Sequence, residues 1–303
     1  NTEYLIKTTH VIANTDIKAI NNWDDKYFAK DSIVNYYGKL GLTTTNTTND
    51  SIGITNVTFR ESEDSVSMGD TLALVNQFKT DEERQFNFDA ASNEYDVSDN
   101  IGKTAEGSLS VNGVQSGNGE RKSTIDFNNY SGFETGSGVE LNISNTELKN
   151  AQSEQGSVIN STDKDAQITL TNTNLVDNKA AGSHGAAIYS ASDVTLTADN
   201  GNTVIKGNKT ANDDEAVYLT GSKLTLNTVN NGKTYINDKI NGDNGYSVSI
   251  TGDTSGDVYL SNQIKNSDVK MDNVTLNLSG NNHFATSNFL IDSGTLNLVN
   301  GVV

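Results

Sequence analysis

Three acidic runs, Asp24-Asp25, Asp81-Glu82-Glu83 and Asp213-Asp214-Glu215, are the densest source of ligand oxygens in this chain. Carboxylates grouped in this way suit Ca2+, and two of them held about 5–9 Å apart suit glycoside hydrolysis. The last run falls between strand-like segments and could bind Ca2+ weakly, although a solvated acidic turn is the plainer reading. Asp243, Asp253 and Asp257 stand in turns that would approach one another if the turns stacked. The segment Asn241-Gly242-Asp243-Asn244-Gly245 has the composition of a calcium-binding turn, without the glycine-and-aspartate nonapeptide repeat that would make it one. The three histidines, His10, His184 and His283, lie too far apart to form a metal-ligand motif. Only three arginines exist, Arg60, Arg84 and Arg121, and none falls in a regular repeat. No Gly-x-Ser-x-Gly elbow is present. No catalytic and no cofactor-binding residue is assigned on these grounds, no cofactor is expected, and a metal site stays open. Three or more carboxylates converging with Arg or Lys in one groove would sink a non-enzymatic reading.

Elements that could position such residues must be built from an unusual composition. The 303 residues include 42 Asn, 34 Thr and 29 Ser, about a third of the chain, and contain neither proline nor cysteine. Disulfides, Cys-based zinc sites and thiol nucleophiles are therefore excluded. The formal charge of −18 argues against a nucleic-acid partner, which needs a basic stripe to neutralise phosphates. No run of about 20 apolar residues occurs, so no membrane insertion by a helix of this segment is expected. Apolar residues come in short β-rich clusters separated by Asn, Asp and Gly, the pattern of a β protein.

The clusters repeat. Ile168-Thr169-Leu170-Thr171-Asn172 with Leu175 matches Leu141-Asn142-Ile143-Ser144-Asn145 with Leu148, and Gly53–Phe59 follows the same pattern. At a spacing near 30, Leu175 with Asn178-Lys179 matches Ile205 with Asn208-Lys209 and Tyr235 with Asp238-Lys239. Val194-Thr195-Leu196 matches Leu224-Thr225-Leu226, again 30 apart. A third series runs Ser157–Ile159, Ala186–Tyr189, Ala216–Leu219 and Ser247–Ile250. Three short strands per coil of about 20–30 residues predict an all-β parallel β-helix, or β-solenoid. Leu196 and Leu226 should point inward and Thr195 and Thr225 outward, with Asn and Gly at the corners. A β-sandwich would use Asn112-Gly113, Asn231-Gly232 and Asn241-Gly242 as hairpin turns, and a propeller would need about 40 residues per blade. The thirty-residue period favours the solenoid over both.

Residues 1–50 read as an N-terminal capping segment and residues 51–303 as the β-helix, a fragment continuing or ending near 303. Trp23, Tyr27, Phe28, Tyr36 and Tyr37 make 20–42 the most aromatic stretch, with a short helix expected near 26–38 to cover the open end coil. Residues 60–105 fit the repeat poorly and read as irregular coils or a loop excursion.

The run Asn174-Leu175-Val176-Asp177-Asn178 through Gly182, Gly185-Ala186-Ala187-Ile188 and Tyr189 resembles the repeat of bacterial autotransporter passengers and polymorphic outer-membrane proteins. That repeat pairs aromatic-x-x-Asn with Gly-Gly-Ala-aliphatic; here Leu175 replaces the aromatic residue and Ala186 the second glycine. Ser293-Gly294-Thr295-Leu296-Asn297-Leu298 resembles the Gly-Thr-Leu-x-Leu strand of such passengers. The resemblance covers about residues 108–303. It implies a right-handed β-helix on the surface of a Gram-negative bacterium, exported through a C-terminal outer-membrane barrel. The expected function is adhesin-like contact with a host surface receptor, a glycan or an identical molecule on a neighbouring cell. The alternative is a carbohydrate-active β-helix enzyme, a polysaccharide lyase or tailspike-like hydrolase.

Overall fold

The computed structural model describes residues 33–35, 40–47, 51–59, 71–77 and 83–299, apart from 118, 120, 244, 281, 282 and 285. The aromatic residues Trp23, Tyr27, Phe28, Tyr36 and Tyr37, together with Asp24-Asp25, His10 and Arg60, lie outside the described residues.

Alternating apolar and polar residues give each coil strands with one buried and one outward face. The Val194–Asp199 and Val274–Ser279 strands alternate strictly between buried and part-exposed positions. Such a strand cannot satisfy its own backbone, so successive coils pair with each other in parallel. Three long sheets result. Sheet A has 12 strands, beginning at Ile33–Asn35 and ending at Asn288–Ile291; sheet B has nine, from Glu94–Asp96 to Gly294–Val299; sheet C has six, from Gly102–Lys103 to Lys239–Asp243. The chain is a parallel β-helix. Nine strands at about 4.8 Å spacing give sheet B a length of roughly 40 Å.

Sheet A fixes the register of the rod. Leu109, Leu141, Ile168, Val194, Leu224, Val248, Val269 and Phe289 stand one above another. Successive differences give coils of 32, 27, 26, 30, 24, 21 and 20 residues. The coil shortens as its third side shrinks: sheet C ends at Lys239–Asp243, and beyond it Ile264 bridges Ile240 and donates its N–H to His283 O at 2.7 Å. The series Ser157, Ala186, Ala216, Ser247 is corrected accordingly. Its first three members do lead into sheet C, where Ile159, Ile188 and Val217 stack, but Ser247–Gly252 belongs to sheet A.

Corners follow from the asparagines. Asn145, Asn172, Asn200, Asn230 and Asn273 all take positive φ, from 45° to 55°, and each turns the chain from sheet A to sheet B. Asn reaches this left-handed region at low cost because its short amide can bond locally. At the corner from B to C, the register of the thirty-residue repeat changes by one. Ile205 pairs with Ile236, not with Tyr235, which pairs with Val204 and points outward. Asn208 nevertheless bonds Asp238, 30 residues on. Gly207, at φ 70°, absorbs the extra residue; a Cβ there would sit 2.1 Å from Asp177 Oδ1.

Two expectations near the N-terminal end are corrected. Residues 33–35 form a strand antiparallel to 40–47, inside the interval expected to be helical. The helix of the described residues is Thr71–Gln77, whose Leu72 and Val75 are fully buried in the core. It contacts the Ser51–Phe59, Arg84–Phe88 and Gly102–Lys103 strands, so it covers the first coil between sheets A and C. Residues 84–103 are that first coil, not an irregular excursion, with Phe86, Tyr95 and Ile101 buried on its three sides. Arg84 lies in this coil and is fully buried. Its guanidinium donates to Asn76 O at 2.5 Å and Ala105 O at 2.7 Å, tying the end of the helix to the coil.

At the other end, Leu296 and Leu298 hold the inward positions of Leu276 and Leu278 but are 36% and 62% exposed. Leu196 and Leu226, by contrast, are fully buried, as the alternation requires. Leu226→Asp should lower unfolding free energy by several kcal/mol, because it puts an unpaired charge in the core. Urea denaturation checks this, and near-neutral stability would mean that Leu226 is not a core residue.

Candidate functional site

The acidic run at 213–215 does not converge. Asp213 pairs with the ammonium of Lys239, Asp214 lies 4.0 Å from Lys209 at an exposed site, and Glu215 turns inward. Buried Glu215 is saturated by donors: Gly185 N at 3.0 Å and His184 Nδ1 at 3.4 Å reach Oε1, while Asn241 Nδ2 reaches Oε2 at 2.8 Å. Three charges that could have chelated Ca2+ are instead directed to separate sets of partners.

Asp243, Asp253 and Asp257 also stay apart in role. Asp243 ends the last strand of sheet C and bonds the Tyr218 hydroxyl. Asp253 closes an exposed turn, accepting from Asn230 N at 2.8 Å and Ser255 N at 3.0 Å; these bonds hold its carboxyl below the usual range. Asp257 begins a strand of sheet B beside Tyr259. His283 is buried with Nδ1 donating to Asn262 O at 2.9 Å, a structural role. Arg121 helps close a loop through its own N–H to Ser116 Oγ.

What Glu215 does organise is an aromatic surface. On the outer face of sheet C, Lys103, Glu134, Asn160, Tyr189, Tyr218 and Asn241 form one column, one residue per coil. The rings of Tyr189 and Tyr218 stack at 5.6 Å, and His184 stacks on Tyr218 at 4.0 Å. Burial, then the Asp243 and Glu215 charges, pushes the Tyr218 phenol up to about 12, so it donates to Asp243 as a neutral hydroxyl. Asp243 is exposed, His184, Tyr189 and Asn241 are half-buried, and Tyr218 between them is buried. Gly185 permits this arrangement: its φ is 58° and a Cβ would lie 2.4 Å from Ile188 O.

Carboxylates and a lysine do meet elsewhere. Glu94, Asp96 and Asp126 place oxygens within 4.8 Å of one another on sheet B, and Lys149 contacts Glu94 at 2.8 Å and Asp126 at 3.4 Å. A separate cleft of about 670 Å3 near the first coils is lined by residues including Lys103, Glu106, Ser137 and Asp163. Asp163 Oδ2 there accepts from Ser137 N at 3.2 Å.

One polar set is internal. Asn178, Asn208 and Asp238 are buried in file under the corner from B to C. Asn178 Nδ2 donates to Asn208 Oδ1 at 2.9 Å and Asn208 Nδ2 to Asp238 Oδ2 at 2.7 Å. Each amide also reaches the preceding coil, at Leu148 O and Leu175 O. The alignment of these three positions in sequence was the signal for this ladder. A second set, Lys122, Glu147 and Asn174, escaped the sequence because its members share no residue type and Lys122 reaches the others only through a crossing loop.

Comparison with protein-family models, curated proteins and solved structures gives no match.

Asn208→Ala should cost about 1–3 kcal/mol, since it removes the side-chain acceptor of Asn178 and one of the donors to Asp238 in a buried site; chemical denaturation measures it. Burial raises the Asp238 carboxyl, against the lowering effect of the Asn208 and Gly207 donors. A raised folded pKa means that this contribution to stability is full below the unfolded pKa and is lost as pH rises through the folded one. The stability of Asp238→Asn relative to the parent should therefore improve as pH rises through that interval. A difference independent of pH in denaturation series would contradict the assignment.

Proposed function

We propose that this chain is an adhesin-like passenger β-helix, secreted or displayed on a Gram-negative surface, which makes contact with host receptors, glycans or neighbouring cells without catalysis. The observation that supports it best is the sheet C column, where Tyr189, Tyr218 and His184 form an aromatic ledge flanked by Asn241 and Asp243. Ring edges and amides suit sugars and peptide groups, which combine apolar faces with hydrogen-bonding rims. Each contact is weak, so affinity would come from many displayed copies. Net charge of −18 keeps such a rod from associating through nonspecific contacts. The passenger reading rests on the quoted motifs, and it carries the extracellular location with it. No helix among the described residues is long and apolar enough to cross a membrane.

The carbohydrate-active enzyme has a specific observation in its favour, the cleft holding Lys103, Glu106 and Asp163, with the Glu94, Asp96, Asp126 and Lys149 group as a second. Those four stand on the outer face of the sheet B strands, none of them lining that cleft, and the lysine is already ion-paired. Contact is favoured because the aromatic ledge needs no chemistry to act.

The double variant His184→Ala, Tyr189→Ala should keep its β circular dichroism and lose about tenfold in binding to glycan arrays or host cells. Unchanged binding would remove the ledge from the reading. Polysaccharide depolymerisation by the purified chain, abolished in Glu106→Gln, Asp163→Asn, would replace adhesion by catalysis.

A further inference from the structure

The loop between the Gly107–Asn112 and Ser123–Asp126 strands leaves its own coil and lies across later ones. Ser116 and Arg121 pair through their backbones at 2.8 Å, Gln115 bridges Lys122 in antiparallel fashion, and Gln115 Oε1 lies against Gly201. This fold carries the Lys122 side chain into the wall of sheet B, where only 6% of the residue stays exposed. Its Nζ donates to Asn174 Oδ1 at 2.8 Å and to the carbonyl of Asn202. Asn174 in turn donates from Nδ2 to Glu147 Oε2 at 3.3 Å, and Glu147 and Asn174 are register partners in adjacent coils. An amine, a carboxamide and a carboxylate are thus in line, the amine buried and the other two groups half-buried.

These three groups are the components of an amide exchange. The geometry points to a spontaneous intramolecular isopeptide bond between Lys122 Nζ and Asn174 Cγ, with Glu147 as the proton carrier. Glu147 turns the amide so that its nitrogen faces the carboxylate and its carbonyl faces the amine. The neutral amine attacks Cγ and forms the Nζ–Cγ bond. Glu147 takes a proton from the attacking nitrogen and delivers it to Nδ2, the Cγ–Nδ2 bond breaks, and ammonia leaves. One amine and one primary amide become one secondary amide and one ammonia, and the carboxylate is regenerated. No oxidant or cofactor enters the balance.

Burial supplies the nucleophile. It pushes the Lys122 amine down to about 7, with the Glu147 charge acting in the opposite direction. Near neutral pH a large fraction is therefore unprotonated, whereas an ordinary lysine is almost wholly charged. A bond between positions 52 residues apart would fasten the crossing loop to a coil two turns further along. Closing so long a segment restricts the unfolded chain as a disulfide would, in a sequence with no cysteine.

Intact-mass spectrometry of the folded full chain, followed over time at pH values on either side of 7, tests this directly. The expected result is a mass lower by one ammonia and a branched proteolytic peptide that joins Lys122 to Asn174. Its formation should be faster above the amine pKa of about 7 than below it, and should stop in denaturant. Lys122→Arg and Asn174→Ala should keep the full mass. Glu147→Gln, which retains both reacting groups, should slow bond formation by about a hundredfold or more. An unmodified mass at every pH and time, or an ammonia loss that maps to any other asparagine, overturns the proposal. The time course on the parent chain decides this even where a variant fails to fold.

Discussion

A single coil of this chain has no partner for its own backbone N–H and C=O groups; only the coils above and below provide them. Parallel pairing between coils is therefore the constraint on which the rest depends. It forces residues of successive coils into vertical columns, so every side chain meets a near-copy of its own environment. An inward leucine column is self-consistent and stable. A buried polar column survives only if each member both gives and receives a hydrogen bond, which is why the internal file uses Asn178 and Asn208. The file ends in Asp238, a group that only accepts when ionised. Absence of proline follows from the same constraint, since a proline would remove an inter-coil donor.

The same columns shape the outer surface. Stacking places Tyr189 beside Tyr218 and Tyr235 beside Tyr259 without any loop designed for the purpose. A binding surface on such a rod is a property of several coils, each supplying one residue. The Lys122, Glu147 and Asn174 set is built the same way, with one strand register and one crossing loop bringing three distant residues together. Ends are the weak point, because a terminal coil has an unsatisfied side. Helix 71–77 and Arg84 deal with this at the first coil, whereas at the last described coil Leu296 and Leu298 keep inward positions and are exposed among the described residues.

Much of the fold was legible because the physics is local and repeated. The two-residue alternation of Val194-Thr195-Leu196 and the thirty-residue recurrence of Asn178 and Asn208 both report directly on the solenoid. Misreadings came where the repeat changes length. Gly207 hides a one-residue slip, so that Tyr235 resembles a core residue though it faces out. The third side of the coil shrinks after Asp243, so that Ser247–Gly252 resembles a sheet C strand though it belongs to sheet A. The first coil was missed because its core is aromatic, Phe86 and Tyr95 standing where later coils carry Leu and Ile.

The sequence by itself determined the architecture, the residue types at the corners and the absence of thiol chemistry, because each depends on residue type and near-neighbour spacing. Which polar groups meet was decided by tertiary structure alone. Glu215 belongs to an acidic run on paper, yet folding turns it inward to hold His184 and Asn241, while Asp213 and Asp214 go to lysines. Lys122 and Asn174 are 52 residues apart and become hydrogen-bonded neighbours only because a loop crosses two coils. Distances between coils depend on the sum of all intervening coil lengths, and a one-residue change in any of them moves every later partner.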